Sequence, residues 1–157
     1  MENRVEQITL DPAIYGYEGS DKHQNATNVI REIIKEHCFK LHNNEYRGNY
    51  IISLSSSEGN LLIITHDSSS KLLDNLVLPM RPLKKIIKDY SIICESYNQA
   101  IEASYSPSKI EAIDMGRRGL HNEGAELIID LLEEKVQLDF DTARKLFTLV
   151  HVLFVRG

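Results

Sequence analysis

The sequence predicts an α+β fold: a small antiparallel sheet with one N-terminal helix, followed by a C-terminal helical bundle of three to four helices. Three observations predict it. Apolar residues recur at the helical period from Ala26 to Leu41, strand-like runs separated by turn residues occupy the stretch from Tyr46 to Leu78, and helical stripes dominate from Pro82 onward. With 157 residues the chain is long enough to bury about two thirds of its unfolded surface, as one domain over 1–157. No internal repeat or low-complexity linker divides it. The best junction is Leu78 to Arg81, which would separate a sheet-containing part, 1–78, from an all-helical part, 79–157.

Each element has its own justification. Arg4 to Leu10 has modest extended character ended by Asp11-Pro12, and Gly16 to Asn25 is polar and turn-rich, the composition of a surface run. From Ala26 the set Ala26, Val29, Ile30, Ile33, Ile34 and Leu41 lies on one helical face, with Thr27, Asn28, Arg31, Glu32, Lys35 and Glu36 opposite. Tyr46 to Ser55, Leu61 to Thr65 and Leu72 to Leu78 then read as three antiparallel strands, the first two joined by a hairpin over Ser56 to Asn60. Pro82 suits a first helical position and opens what reads as the longest helix, running to about Ser104 with Leu83, Ile86, Ile87, Tyr90, Ile93, Cys94, Tyr97 and Ile101 as its stripe. Asp139 or Asp141 caps the last helix, whose run from Leu146 to Val155 is apolar almost all round; it packs inside its own domain or forms a homo-oligomer contact.

Charge, glycine and histidine concentrate between Ser106 and Glu126. Ser106 and Pro107 start a helix in which Glu111, Asp114, Arg118 and His121 share one face, while Arg117 points close to Ile110. Gly116 and Gly119 each weaken a helix by about 1 kcal/mol relative to alanine, so a turn is expected near Gly119, with Asn122 capping a second helix. Close helix packing and a left-handed cap account for these glycines and Gly124; an anion cradle closed by Arg117 and Arg118 is the functional reading, and Glu123 opposes it by repulsion. The candidate ligand-binding set is therefore Asp114, Arg117, Arg118, His121, Asn122 and Glu123. A second candidate, for an anion or acidic partner, is the basic stripe Arg81, Lys84, Lys85 and Lys88, where the helix dipole already disfavours positive charge. Its bland reading is a solvated face paired with nearby acids.

Composition narrows the function classes. Net charge is −5, with seven Lys/Arg against eleven Asp/Glu in residues 1–78 and eleven against twelve in 79–157, so no basic field for extended nucleic-acid binding exists. The two cysteines, Cys38 and Cys94, lie in apolar helical patterns and read as reduced core residues. The opening MENRVEQITL lacks the apolar run of a signal peptide, and the run ending at Val155 is short of the roughly 20 residues of a membrane helix, which gives a soluble cytoplasmic protein. His37 and His42 are five apart without a third ligand, so no metal is assigned, and no motif implies a cofactor. His151 on the last helix reads as a satisfied core histidine.

The strings KDYSIICESY, PSKIEAIDMGRRGLHNEGAEL and FDTARKLFTLVHVL, with the opening MENR and the TLD of Thr9 to Asp11, resemble uncharacterised protein family 0262, small proteins of alphaproteobacteria. The resemblance spans nearly the whole chain and implies a bacterial cytoplasmic setting, but no activity, cofactor or site residue. Function stays open between two classes. One is an interaction or regulatory module whose partner is a small anionic ligand or an acidic protein. The other is an enzyme acting on a phosphorylated or acyl small molecule, with His121 as acid or base, Asp114 orienting it, and Arg117 or Arg118 stabilising anionic charge. Asp114 and His121 are about 10.5 Å apart along an uninterrupted helix, so that enzyme requires a bend at Gly116 or Gly119.

Overall fold

The computed structural model describes residues 3–154; Met1, Glu2 and the C-terminal residues from Val155, which the sequence assigns to the last apolar run, lie outside it. In chain order the elements are β1 (Val5–Leu10), α1 (Pro12–Tyr15), α2 (Asp21–Lys35), β2 (Phe39–Leu41), β3 (Tyr50–Ser57), β4 (Asn60–His66) and β5 (Leu72–Pro79). A 3-10 turn (Arg81–Leu83), α3 (Lys84–Glu102), α4 (Pro107–Leu132), β6 (Val136–Leu138) and α5 (Phe140–Phe154) follow. The expected α+β architecture is present. No helix among the described residues is long and apolar enough to cross a membrane.

Strands β3, β4 and β5 form the expected antiparallel meander, and Glu58 and Gly59, both at positive φ, make the tight turn between the first two. The sequence reading is extended in one respect: β1 joins β3 in parallel, giving the order β1-β3-β4-β5. Its partner is distant in sequence, which a single-strand signal does not reveal. Alternation then sets the layers. Tyr50, Ile52 and Leu54 of β3 and Leu61, Ile63 and Thr65 of β4 are buried on one face, where α2 and α5 supply Ile30, Ile33, Phe147, Leu149 and Val150.

Helix α2 begins five residues before its apolar periodicity, because Ser20 Oγ accepts from the His23 amide and Asp21 adds first-turn acid. It also ends earlier than the periodicity suggests. His37 Nε2 accepts from Val5 N at 2.8 Å while its Nδ1 donates to Ile33 O at 2.8 Å, and the Cys38 amide donates to Thr142 Oγ1. Phe39–Leu41 is thereby pulled into a two-stranded antiparallel ribbon with β6, so Leu41 belongs to a strand, and Cys38 lies half-buried outside any helix. The connection from α4 to α5 contains the other half of that ribbon, β6. Asp139 is the side-chain cap of α5, accepting from the Thr142 amide at 2.9 Å.

The expected turn at Gly119 is absent: α4 runs unbroken for 26 residues and, rather than the 19-residue α3, is the longest helix. Two glycines of α4 mark close approaches, since a Cβ at Gly124 would stand 2.3 Å from the Phe147 ring and one at Gly116 2.7 Å from Ile93 Cδ1. Neighbouring helices thus hold the segment helical at a cost of about 1 kcal/mol per glycine. Within α5, Phe147, Leu149, Val150 and Leu153 are buried in the chain's own core, Leu146, Val152 and Phe154 are half-buried, and Phe140 is exposed. By contrast, between Tyr90 and Gly124 only Ala100 is buried, so the outer half of the α3–α4 hairpin stands off the body.

Two substitutions separate these roles. Gly124→Ala forces its methyl into the Phe147 ring and is expected to destabilise the fold by about 1–3 kcal/mol. Gly119→Ala meets open space on an exposed helix interior and is expected to stabilise by about 0.4–1 kcal/mol. Urea unfolding midpoints check both, and a Gly124→Ala protein as stable as the parent contradicts the close packing.

Candidate functional site

Along α4 the acidic and basic residues satisfy one another across successive turns. Arg117 Nε donates to Asp114 Oδ1 at 3.0 Å, Arg118 Nε reaches Asp114 Oδ2 at 3.2 Å, and Arg118 Nη2 donates to Glu111 Oε1 at 3.1 Å. Asp114 therefore carries two guanidinium groups, one on each oxygen. The Arg117 guanidinium also lies 4.9 Å over the Tyr97 ring of α3, and its pKa is raised by its hydrogen bond to Asp114. Neither arginine is enclosed: the Arg117 and Arg118 side chains keep 33% and 52% of their exposure. A second anion could reach them only in competition with the carboxylates already there.

His121 faces away from this network, toward α5. Arg144 Nε donates to His121 Nδ1 at 3.3 Å, which makes Nδ1 the acceptor, so Nε2 carries the proton and donates to Thr148 Oγ1 at 2.7 Å. Thr148 in turn donates to the Arg144 carbonyl at 3.1 Å. Around the imidazole stand Tyr90 at 5.4 Å and Phe147 at 5.5 Å between ring centroids, and Tyr90 also contacts the ring of His151 at 4.9 Å. Burial, then the Arg144 and Arg117 charges, pushes His121 down to about 4. It is neutral at physiological pH, with both ring nitrogens engaged inside the helical layer. Burial, with the Cys94 thiol next, pushes Tyr90 up to about 12, and burial raises Cys94 as well, so neither is ionised near neutrality.

The remaining candidates are distributed elsewhere. Asn122 Oδ1 is buried and has no hydrogen-bond partner among the described residues, as is His151 Nε2. Glu123 and Lys85 line a groove of about 490 Å³ between α3 and α4, with Pro82, Ile86, Leu120 and Leu127 as apolar lining and Asp89, Glu126 and Asp130 as further acids. Lys85 donates to Asp89 at 2.9 Å; that hydrogen bond raises its pKa. Arg81, Lys84 and Lys88 stand exposed and make no ion pair among the described residues. The ten sequence-derived candidates thus fall into an ion-pair network, an acidic groove, a free basic cluster and two inward-facing polar residues. The bend that would have joined Asp114 to His121 does not occur.

Sequence reasoning missed Arg144, Thr148 and Tyr90 around His121, because contacts between helices leave no spacing signature. The groove acids were more accessible to it: Glu123, Glu126 and Asp130 follow the i, i+3, i+7 rule, and Asp89 stands one turn after Lys85. Among the described residues no group of three or more His, Cys, Asp or Glu side chains is arranged to hold a metal ion.

A pH dependence follows from the buried imidazoles. The folded-state pKa values of His37, His121 and His151 all lie below the ordinary 6.5, each chiefly through burial. Between that value and the folded one the unfolded chain binds more protons, so stability is full above about pH 6.5 and falls as pH drops toward the folded values. For His121 the loss continues to about pH 4. The urea midpoint should therefore fall between about pH 7.5 and about pH 5, and His121→Gln should shrink that fall. Equal slopes in parent and variant would show that His121 is not held neutral.

The Uncharacterised protein family (UPF0262) model matches residues 2–156. A UPF0262 protein of Xanthobacter autotrophicus is 41% identical over 154 residues, covering 98% of this chain and 93% of that protein. One of Mesorhizobium japonicum is 44% identical over 150 residues, covering 96% and 92% respectively. No solved structure matches. The family match and these full-length relatives together make this chain a member of UPF0262.

Proposed function

We propose that this protein is an interaction module whose basic end of α3, formed by Arg81, Lys84 and Lys88 with Lys85 beside them, receives an acidic protein surface. The observation that carries the reading is the exposure of Arg81, Lys84 and Lys88 without an ion-pair partner among the described residues, at a helix end whose dipole makes isolated cations unfavourable. An acidic surface laid there would relieve that repulsion, while the amides of Leu83 and Lys84 already donate to the Met80 and Arg81 carbonyls of the 3-10 turn. The neighbouring groove, with Glu123, Glu126 and Asp130, repels acids and so directs such a surface onto the outer side of α3.

The enzyme alternative asks His121, Asp114 and an arginine to converge on one substrate. Against it stand the neutral, doubly engaged imidazole and the Asp114 carboxylate shared by Arg117 and Arg118. A base whose conjugate acid titrates at about 4 is poorly matched to general-base work near neutrality.

The test is fluorescence anisotropy of a labelled oligoglutamate peptide at low ionic strength. Binding should weaken about tenfold or more in the Lys84→Glu, Lys88→Glu double variant, and likewise when salt rises from about 50 to about 200 mM. Affinity indifferent to both changes would remove the basis for the proposal.

A further inference from the structure

Resting on that reading of α3, we propose that the acidic surface belongs to a second copy of this chain, docked α3 against α3 in antiparallel orientation about a two-fold axis at Ile92. The outward face of α3 carries Lys85, Lys88, Ile92, Glu95, Gln99 and Glu102 at alternating steps of three and four, and Arg81 of the preceding 3-10 turn stands four residues before them, making a stripe of seven. Every one of these side chains is exposed, and Ile92, at its centre, is 55% exposed. That spacing keeps the positions on one side of the helix. The chemistry along it is ordered by sign: the three residues before Ile92 are cations, and the residues after it are two acids and an amide.

A stripe that changes sign about its own midpoint is complementary to itself only when reversed. Antiparallel pairing sets Lys88 against Glu95 of the second copy, Lys85 against its Gln99 and Arg81 against its Glu102, with Ile92 on Ile92. By symmetry each pair occurs twice. Parallel pairing would instead oppose Lys88 to Lys88 and Glu95 to Glu95. Charge therefore selects both the partner and its direction.

Shape agrees with charge. On the outer half of α4, the exposed residues Ala112, Gly116 and Gly119 fall at i, i+4 and i+7 and form a strip with no side chain larger than a methyl. Gly116 lies against Ile93, the residue next to Ile92, which fixes the two helices in level, and a Cβ at Gly119 would meet nothing within 4 Å. Each copy thus presents an apolar knob next to a shallow hollow, with Met115, 62% exposed, on its rim. At the axis the two Ile92 knobs meet each other, and the small residues flanking them leave room for the two α3 helices to approach. A 19-residue helix is about 28 Å long and a helical pair about 20 Å wide, a footprint below the roughly 800 Å² per partner of a standard interface, the size class of a weak or transient contact.

Sedimentation velocity from about 5 to about 200 μM tests this, with far-UV circular dichroism and thermal melts confirming that each variant is folded. The parent should move from the 17.9 kDa monomer toward twice that mass. Lys88→Glu and Glu95→Lys each create two like-charge contacts and should each weaken association about tenfold or more, whereas an equimolar mixture of the two should recover a heterodimer near the parent affinity. Gly119→Leu, which fills the hollow, should abolish the dimer and leave the fold intact. A parent that stays monomeric throughout overturns the proposal, as does a dimer indifferent to both charge reversals or a mixture that fails to recover. If the parent is monomeric yet its oligoglutamate binding is lost in the Lys84→Glu, Lys88→Glu variant, the second copy is excluded while the acidic-partner reading stands. If that binding is absent as well, both fall.

Discussion

The helical half of the molecule depends on one contact, the Phe147 ring of α5 laid where a Cβ of Gly124 would be. Phe147 is fully buried, and its ring centroid lies 5.3 Å from that of Tyr90 on α3 and 5.5 Å from that of His121 on α4. Three helices therefore meet at one aromatic side chain. Any side chain at Gly124 would push α4 outward, lengthening the Arg144 to His121 and His121 to Thr148 hydrogen bonds that span the same interface. Close approach here is what allows a histidine, rather than a leucine, to bridge α4 and α5.

That bridge explains why the most conspicuous titratable residue is a structural one. A neutral imidazole supplies one donor and one acceptor on opposite sides of a flat ring, and here both are used, while the faces pack against aromatic rings. Burial first, and then the charge of Arg144 at the outer end of the chain, keep the acceptor nitrogen from protonating. His37 repeats the device just past α2, its Nδ1 donating to Ile33 and its Nε2 accepting from Val5, so the end of α2 is tied to the start of β1. In both cases burial favours the neutral ring and each tautomer is fixed by its partners. Lys145 adds a third tie by donating to the terminal carbonyls of Glu32 and Glu36, where a cation also suits the helix dipole.

The strands from Tyr50 to Pro79, the Ser106-Pro107 start, the Asp139 cap and the stripe of α3 were legible in the sequence because each is written in a few neighbouring residues. The parallel place of β1, the β2–β6 ribbon and the continuity of α4 were not, because each is decided by a partner far away in the chain. Phe39 to Leu41 is the clearest case: its residues extend an apolar helical pattern, yet Thr142, 104 positions from Cys38, captures the backbone first. For the candidate site, types and faces were legible and partners were not. Helical spacing put Glu111, Asp114 and Arg118 together, and they do pair, but it also put His121 beside them, whereas that residue turns to α5.

The two halves of the α3–α4 hairpin obey different physical demands. At its root, Leu83 of the 3-10 turn, Ile86, Ile87 and Tyr90 on α3, and Gly124, Ala125, Ile128 and Leu132 on α4 are buried, so burial alone dictates residue type there. Toward its tip that demand vanishes, and an exposed helix is free to use any good helix former. Yet the exposed face there holds Ile92, Met115, Gly116 and Gly119, two large apolar side chains beside two of the residues that weaken a helix most. Propensity argues against the glycines and solvation against the apolar side chains, so neither local force accounts for the composition. Gly116 has a partial internal reason in Ile93; Gly119 has none within 4 Å. A surface that is locally unfavourable but ordered in charge and shape is what contact with another macromolecular surface requires.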